Sequence, residues 1–186
     1  MPYLVLILLI TVLIGCLWVL AQQLIYSFVP QRIVFFPTLL SLELQINLVE
    51  LVQNYISNTH QVRLIEPGCG VAHVARFLQQ NFEWQEVQGL EIDRATFWLA
   101  KIFNWFSPNK VQLNRTDILE VDLPPQSVLY CYLGGDLMQL LYDQGKFYNK
   151  LVISLTFRIP DVEPTEVMEL SKLHHRFVVY DFREKS

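Results

Sequence analysis

Three acidic residues, Glu66, Glu91 and Asp117, each stand where an apolar run gives way to a polar turn. The first opens a glycine-rich turn, Glu66-Pro67-Gly68-Cys69-Gly70. Gly68 and Gly70 let the backbone turn tightly and let a ligand approach with no Cβ in the way. Such a turn, following a strand and opening a helix, is the usual binding crevice of open α/β sheets. A Gly-x-Gly by itself is equally the mark of a plain tight turn. Glu91 strengthens the ligand reading, because it ends the next apolar run about 20 residues on, where a carboxylate accepts hydrogen bonds from both hydroxyls of a ribose. Asp117 ends the third run and is placed to meet an adenine amino group.

Two cofactor classes use such a crevice. A dinucleotide site expects a third glycine and sets its pyrophosphate on the helix N-terminus, whereas this chain has Ala72 or His73 near that position. A carboxylate at Glu66 would repel pyrophosphate but suits a cationic sulfonium and amino group. The pattern therefore favours S-adenosylmethionine over NAD, with Glu66, Gly68, Cys69, Gly70, Glu91 and Asp117 as cofactor-binding candidates. Glu91→Ala is expected to weaken cofactor binding strongly while leaving the fold intact.

The elements that must position these residues follow from periodicity. Leu40, Leu44, Leu48, Leu51, Val52 and Tyr55 form one helical stripe over Leu39 to Ile56, capped by Thr38 or Ser41. Strands are expected at Val62–Ile65, Val87–Glu91, Val111–Thr116, Val128–Leu133 and Leu151–Phe157. Helices are expected at Val74–Phe82 and Arg94–Phe106, and from a cap at Asp136 through Tyr142, after a Gly134-Gly135 turn. Alternation of this kind indicates a parallel sheet with right-handed crossovers. Val167–Leu173 and Arg176–Phe182 break the rhythm and predict a closing antiparallel hairpin through His174-His175. The fold class is α/β, a Rossmann-like sheet with a C-terminal hairpin, preceded by one transmembrane helix.

That helix is read from the N-terminus. The chain has 186 residues, 52% of them hydrophobic, and Met1 to Gln31 holds no charged side chain. Tyr3 to Ala21 is long enough to span a bilayer core of about 20 apolar residues. A secretory signal peptide is the rival, but no basic region precedes the apolar run, which also exceeds the usual length. Gly15-Cys16 resembles a lipoprotein cleavage site except that the apolar stretch continues past it. Residues 1–29 are assigned to the anchor, 30–60 to a linker and docking helix, and 61–186 to the cofactor-binding domain. The first positive charge, Arg32, follows the anchor, so the domain is expected on the cytoplasmic or matrix-like reducing side of a single-pass membrane protein. Cys16, Cys69 and Cys131 lack metal-ligand spacing and are read as free thiols. The net charge of −4, with basic residues scattered singly, argues against a nucleic-acid partner. No metal is expected.

Glu66-x-Gly68-x-Gly70, Glu91-Ile92-Asp93 and Asp117-Ile118-Leu119 resemble successive motifs of the class I, seven-stranded methyltransferases. The whole layout, including Phe28-Val29-Pro30, Phe36-Pro37-Thr38 and the terminal Val178-Val179-Tyr180-Asp181-Phe182, is similar to the small membrane-anchored protein-lysine methyltransferases of mitochondria and their prokaryotic relatives. Those enzymes act on the ATP synthase c-subunit and the adenine nucleotide translocase. The resemblance implies S-adenosylmethionine as cofactor, with Ile92, Ile118 and Tyr132 added to the cofactor-binding candidates, a lysine of a membrane-associated protein as acceptor, and Tyr132 and Gly134 beside the acceptor. It assigns no general base. The chain departs from the family in having Val71-Ala72 after Gly70, where Asp-Gly is usual, and in lacking a proline after Tyr132-Leu133. Two alternatives stay open: a lipid-soluble small molecule as acceptor, and a membrane-tethered scaffold with a decayed site, the latter motivated by Val71-Ala72-His73.

The remaining conspicuous residues have plainer readings. His174-His175 is expected to be a turn, His73 to begin a helix, and Trp84 to cover the sheet edge. Trp98, Phe103, Trp105 and Phe106 are expected to pack in the core.

Overall fold

The computed structural model describes residues 41–170 and 175–184, with residues 10, 11, 13 and 15 of the N-terminal segment. Two compact units divide the chain, Met1–Val34 and Phe35–Ser186. The expected anchor and His174 lie outside the described residues, apart from helical positions at Ile10, Thr11, Leu13 and Gly15. Among the described residues no helix is long and apolar enough to cross a membrane.

The second unit begins with α1 (Leu42–Tyr55), where Ser41 caps the helix by accepting from the Leu44 amide at 3.3 Å. Its stripe of Leu44, Leu48, Leu51 and Val52 is fully buried against the sheet. The helix expected to be a separate docking element is thus part of the domain's own core. The strands are β1 (Arg63–Pro67), β2 (Glu86–Glu91), β3 (Gln112–Arg115), β4 (Ser127–Cys131), β5 (Leu151–Leu155), β6 (Glu166–Glu169) and β7 (Arg176–Asp181). They form one sheet in the order β3-β2-β1-β4-β5-β7-β6. The first five are parallel, and β7 runs antiparallel to both β5 and β6. The expected closing hairpin is present, and β7 sits inside it against β5. Every residue of β4 and β5 is buried, as continuous apolar runs in a sheet covered on both faces require.

Helices α2 (His73–Asn81) and α3 (Arg94–Phe106) lie with α1 on one face, and α4 (Gly135–Asp143) lies on the other. Residues 116–126 and 156–165 connect strands without a helix, and their Ile118, Leu123, Ile159 and Val162 join Met138, Leu141 and Phe147 of the α4 side in covering the second face. Asp136 does not cap α4. Gly134 is the cap, with no side-chain bond, and Asp136 sits in the first turn, where its charge still favours the helix N-terminus.

The largest departure concerns α3. Trp98 is 59%, Phe103 53%, Trp105 76% and Phe106 81% exposed, so these rings are not in the core. The helix covers the margin of the sheet, where β3 is a four-residue edge strand. Only Thr96 and Ala100 of this helix are buried, with Phe97, Leu99 and Asn104 half-buried. Asn104 holds the helix in place by bonding both the amide and the carbonyl of Val111 at 3.0 Å.

Candidate active site

The carboxyl ends of β1, β2 and β3 bring Glu66, Glu91 and Asp117 to one edge of the sheet. Glu66 lies opposite Gly89 and Glu91 opposite Arg115 in the ladders. Thr116, beside Asp117, donates its amide to the Glu91 carbonyl at 3.2 Å.

The glycine turn leaves β1 with φ of +63° at Gly68, +56° at Gly70 and +56° at Ala72. Ala72 takes a left-handed conformation that favours glycine, so Val71-Ala72 keeps the turn at some strain. A Cβ on Gly68 would stand 2.8 Å from Leu133 Cδ2, whereas one on Gly70 would meet no atom within 4 Å. Gly68→Ala is therefore expected to lower stability by about 1–2 kcal/mol for the left-handed backbone, with a further loss as Leu133 shifts. Gly70→Ala should lose only the backbone part. Thermal unfolding of the two variants side by side measures the difference.

Cys69 faces away from the opening. Its thiol abuts Gly89, whose added Cβ would come within 2.8 Å of Sγ. Its amide donates to the Leu90 carbonyl at 3.0 Å and its carbonyl accepts from Ala72 at 2.7 Å. Burial, with Glu66 and Glu91 nearby, pushes the thiol well above its ordinary value. Cys69 holds the loop onto β2 rather than presenting a polar group to a ligand. Gly89 and Ala72 are the partners that sequence reasoning missed, and a glycine inside a strand is the signal that marks a close approach of this kind.

Glu91 closes the turn from the other side. One oxygen accepts from the Gly70 amide and the other from the Asp93 amide, both at 2.9 Å. Asp93 in turn caps α3 by accepting from Thr96 at 2.8 Å. Burial raises the Glu91 carboxyl above its usual range, and these two amide bonds oppose the rise. A carboxylate has about four lone-pair sites, so acceptor capacity remains for a ligand. Ile92, next in sequence, is 53% exposed and offers an apolar face beside that carboxylate. Asp117 is half-buried and accepts from the Leu119 amide at 2.9 Å. The Ile118 side chain is buried in the core of the α4 face.

Glu66 is buried beneath the turn, accepting from the Ala75 amide of α2 at 2.8 Å. Burial raises its carboxyl to about 8; that bond and Arg76 lower it, and Glu91 adds to the rise. Burial therefore favours the protonated form of Glu66 near neutral pH. The charge contrast drawn from sequence, repelling pyrophosphate and attracting a sulfonium, is correspondingly weaker. Arg76, which sequence reasoning passed over, donates from Nη1 to the Val71 carbonyl at 2.7 Å and ties α2 to the turn. His73 is the first residue of α2, and burial with Arg76 lowers its imidazole, which favours the neutral form. One step beyond the Ile65–Leu129 pair in the β1–β4 ladder is Tyr130, whose buried hydroxyl has no protein partner.

Tyr132 and Gly134 stand past the end of β4. Tyr132 is half-buried with its ring 5.5 Å from that of Phe157. Gly134 has no atom within 4 Å of where a Cβ would project, so space opens at the N-terminus of α4. The residues present fit an adenosyl group: a turn open at Gly70, strand-end carboxylates for hydroxyls and an amine, and an exposed Ile92 for a flat ring. The orphaned Tyr130 hydroxyl marks a further polar position under the same turn. Among the described residues no three His, Cys, Asp or Glu groups converge as a metal site. Cys69 and Cys131 are free and buried.

No protein-family model and no curated protein matches the sequence. Solved structures do match the fold. An RNA methyltransferase from Salinibacter ruber, in complex with S-adenosyl-L-homocysteine, aligns with a TM-score of 0.62 at 18% identity, over 82% of this chain and 96% of that one. A ribosomal protein L11 methylase from Lactobacillus delbrueckii subsp. bulgaricus gives 0.55 at 13% identity, over 75% and 79%. A tRNA methyltransferase from M. jannaschii gives 0.57 at 10% identity, over 81% and 52%. At these identities the likeness establishes the fold, a seven-stranded methyltransferase sheet.

Proposed function

We propose that this chain is an S-adenosylmethionine-dependent methyltransferase of a single-pass membrane protein type, acting on a lysine of a membrane-associated protein. One observation carries the activity: the glycine turn and the Glu91 carboxylate are joined at the carboxyl edge of a seven-stranded sheet whose fold resembles that of solved methyltransferases. The membrane part is supported by the charge-free run Met1 to Gln31, the reducing side by Arg32 as the first positive charge, and an acceptor other than nucleic acid by the net charge of −4.

Bound S-adenosylmethionine supplies a methyl group on a sulfonium that is already a good leaving group. The protein's part is then positioning and exclusion of water. Glu91 and Asp117 bind and orient the adenosyl end, while Gly68 and Gly70 admit it against the backbone. At the other end Tyr132 and Phe157 present apolar ring surface beside the opening at Gly134. An amine entering there loses hydration, which favours its neutral, nucleophilic form.

A second acceptor class has its own support, because structures sharing this fold include RNA and tRNA methyltransferases. The alternatives of a lipid-soluble small molecule and of a decayed scaffold keep the same cofactor pocket. Calorimetric titration of the full chain in detergent with S-adenosylmethionine, against NAD, is expected to show saturable binding of the former alone. Binding of neither would remove the basis of the proposal. Labelled methyl transfer is then followed into membrane protein, RNA and lipid extracts. Label in protein lysine supports the first acceptor, label in RNA or lipid replaces it, and binding without transfer to any fraction leaves the scaffold.

A further inference from the structure

We propose that the outer face of α3 is a lipid-docking surface, seating the domain in the headgroup region of a bilayer. The face is built from two stripes at helical spacing, Trp98–Ile102–Trp105 and Leu99–Phe103–Phe106. Five of these six are at least half exposed, with Ile102 at 50% joining the four rings already described. Soluble monomers rarely leave so many large apolar side chains together. The rings are ordered among themselves, Trp105 stacking on Phe106 at 6.1 Å and Trp98 standing edge-on to Phe97 at 6.1 Å.

Charge selects the occupant. From Arg94 to Thr116 there is no Asp or Glu, while Arg94, Lys101, Lys110 and Arg115 are present, in a chain whose net charge is −4. All four are exposed on α3 or along the β3 edge beside it, and Lys101 rises within the patch over the Phe97 ring at 5.4 Å. Tryptophan and phenylalanine on one helical face, bordered by lysine and arginine, is the composition of helices lying in a membrane interface, where rings sit at headgroup level and cations meet anionic lipid. A second copy of this chain would set these unneutralised cations against one another. Nucleic acid would leave Ile102 and Leu99 without a partner, since bases stack on rings rather than on aliphatic chains. The charge-free N-terminal run gives the same chain an independent reason to be at a bilayer. The surface is also near the chemistry: α3 begins three residues after Glu91, so a domain lying on this helix holds the crevice next to the lipid. None of this depends on which cofactor the crevice takes.

The test uses the full chain carrying Trp18→Phe, which leaves buried Trp84 and the exposed pair Trp98 and Trp105 as emitters. It is reconstituted in phosphatidylcholine vesicles containing about a third phosphatidylserine, with or without lipids brominated in the upper acyl chain. The bromolipid is expected to quench about half or more of the emission, an interfacial depth for both exposed rings. The same chain with Trp98→Ser and Trp105→Ser should lose that quenching while keeping its circular dichroism. Lys101→Glu with Lys110→Glu should reduce quenching in the anionic vesicles. A chain that floats with vesicles but is quenched no more than the double-serine variant overturns the docking surface and leaves the anchor standing. Failure to float at all overturns both. Shielding of the pair from acrylamide that appears only at high protein concentration in detergent assigns the face to a second copy, and shielding only on adding RNA assigns it to nucleic acid; either overturns the proposal.

Discussion

Glu91→Ala is expected to weaken S-adenosylmethionine binding by at least about two orders of magnitude, since hydrogen bonds to a charged group are worth about 1.5–3 kcal/mol each. Two losses act together. The carboxylate that would accept from the ribose hydroxyls is gone, and so are the two 2.9 Å bonds that hold the Gly70 and Asp93 amides in place. The second loss corrects the expectation that this acid leaves the fold untouched. Two backbone amides in a largely buried corner lose their acceptor, at a cost of about 1–3 kcal/mol each where water does not replace it. Calorimetry reads the first effect. Hydrogen exchange reads the second as faster exchange at Gly70 and Asp93, with the amides of β4 and β5 unchanged. Glu91→Gln should fall between wild type and alanine, because its carbonyl oxygen replaces one acceptor while its amide group turns a donor toward the other N–H. Unchanged affinity in Glu91→Ala would place the cofactor away from this strand end.

The same residue illustrates what could be read from the sequence. That Glu66, Glu91 and Asp117 end successive strands follows from apolar runs and turn residues, which are local properties. The ladder register bears this out, setting Glu66 opposite Gly89 and Glu91 opposite Arg115. That Glu91 bonds the amide of Gly70, across a separation of 21 residues, is not local. Neither is the inward turn of Cys69, which depends on Gly89 leaving room for its sulfur.

The α3 rings show the converse error. An apolar residue on a helix reads as a core residue, but burial depends on what lies opposite, and beyond β3 no further strand is present among the described residues. The covering of the second face has a similar origin. Residues 116–126 and 156–165 carry enough apolar side chains to cover the sheet without helical period. The strand alternation was legible; which layer closes over each face was not.

The protonation of Glu66 lies furthest from the sequence, and it leads to a second large effect. Glu66→Gln is expected to stabilise the ligand-free domain increasingly as pH rises. The wild-type carboxyl moves from about 4.5 in the unfolded chain to about 8 when folded, chiefly through burial. Below the lower value both states hold the proton, and the folded form carries no penalty. Between the two values the unfolded chain ionises freely while the folded one resists, so wild-type stability declines through this window and levels off above it. Each unit of separation is worth about 1.4 kcal/mol, which makes the total on the order of several kcal/mol. Glutamine keeps an acceptor for the Ala75 amide and does not ionise. Unfolding midpoints of the two proteins should therefore coincide near the lower end of the window and separate steadily toward its upper end. Parallel curves over the whole range would mean that Glu66 is already ionised in the folded protein. Cofactor then supplies an independent check. A sulfonium and an ammonium bound near this carboxyl favour its ionised form, so S-adenosylmethionine binding at neutral pH should release protons, seen as a binding enthalpy that depends on the buffer's ionisation heat. S-adenosylhomocysteine lacks the sulfonium charge and should release fewer, and Glu66→Gln should release none from this site. Equal release by wild type and Glu66→Gln would assign the protons to Glu91, the other carboxyl that burial raises at this edge.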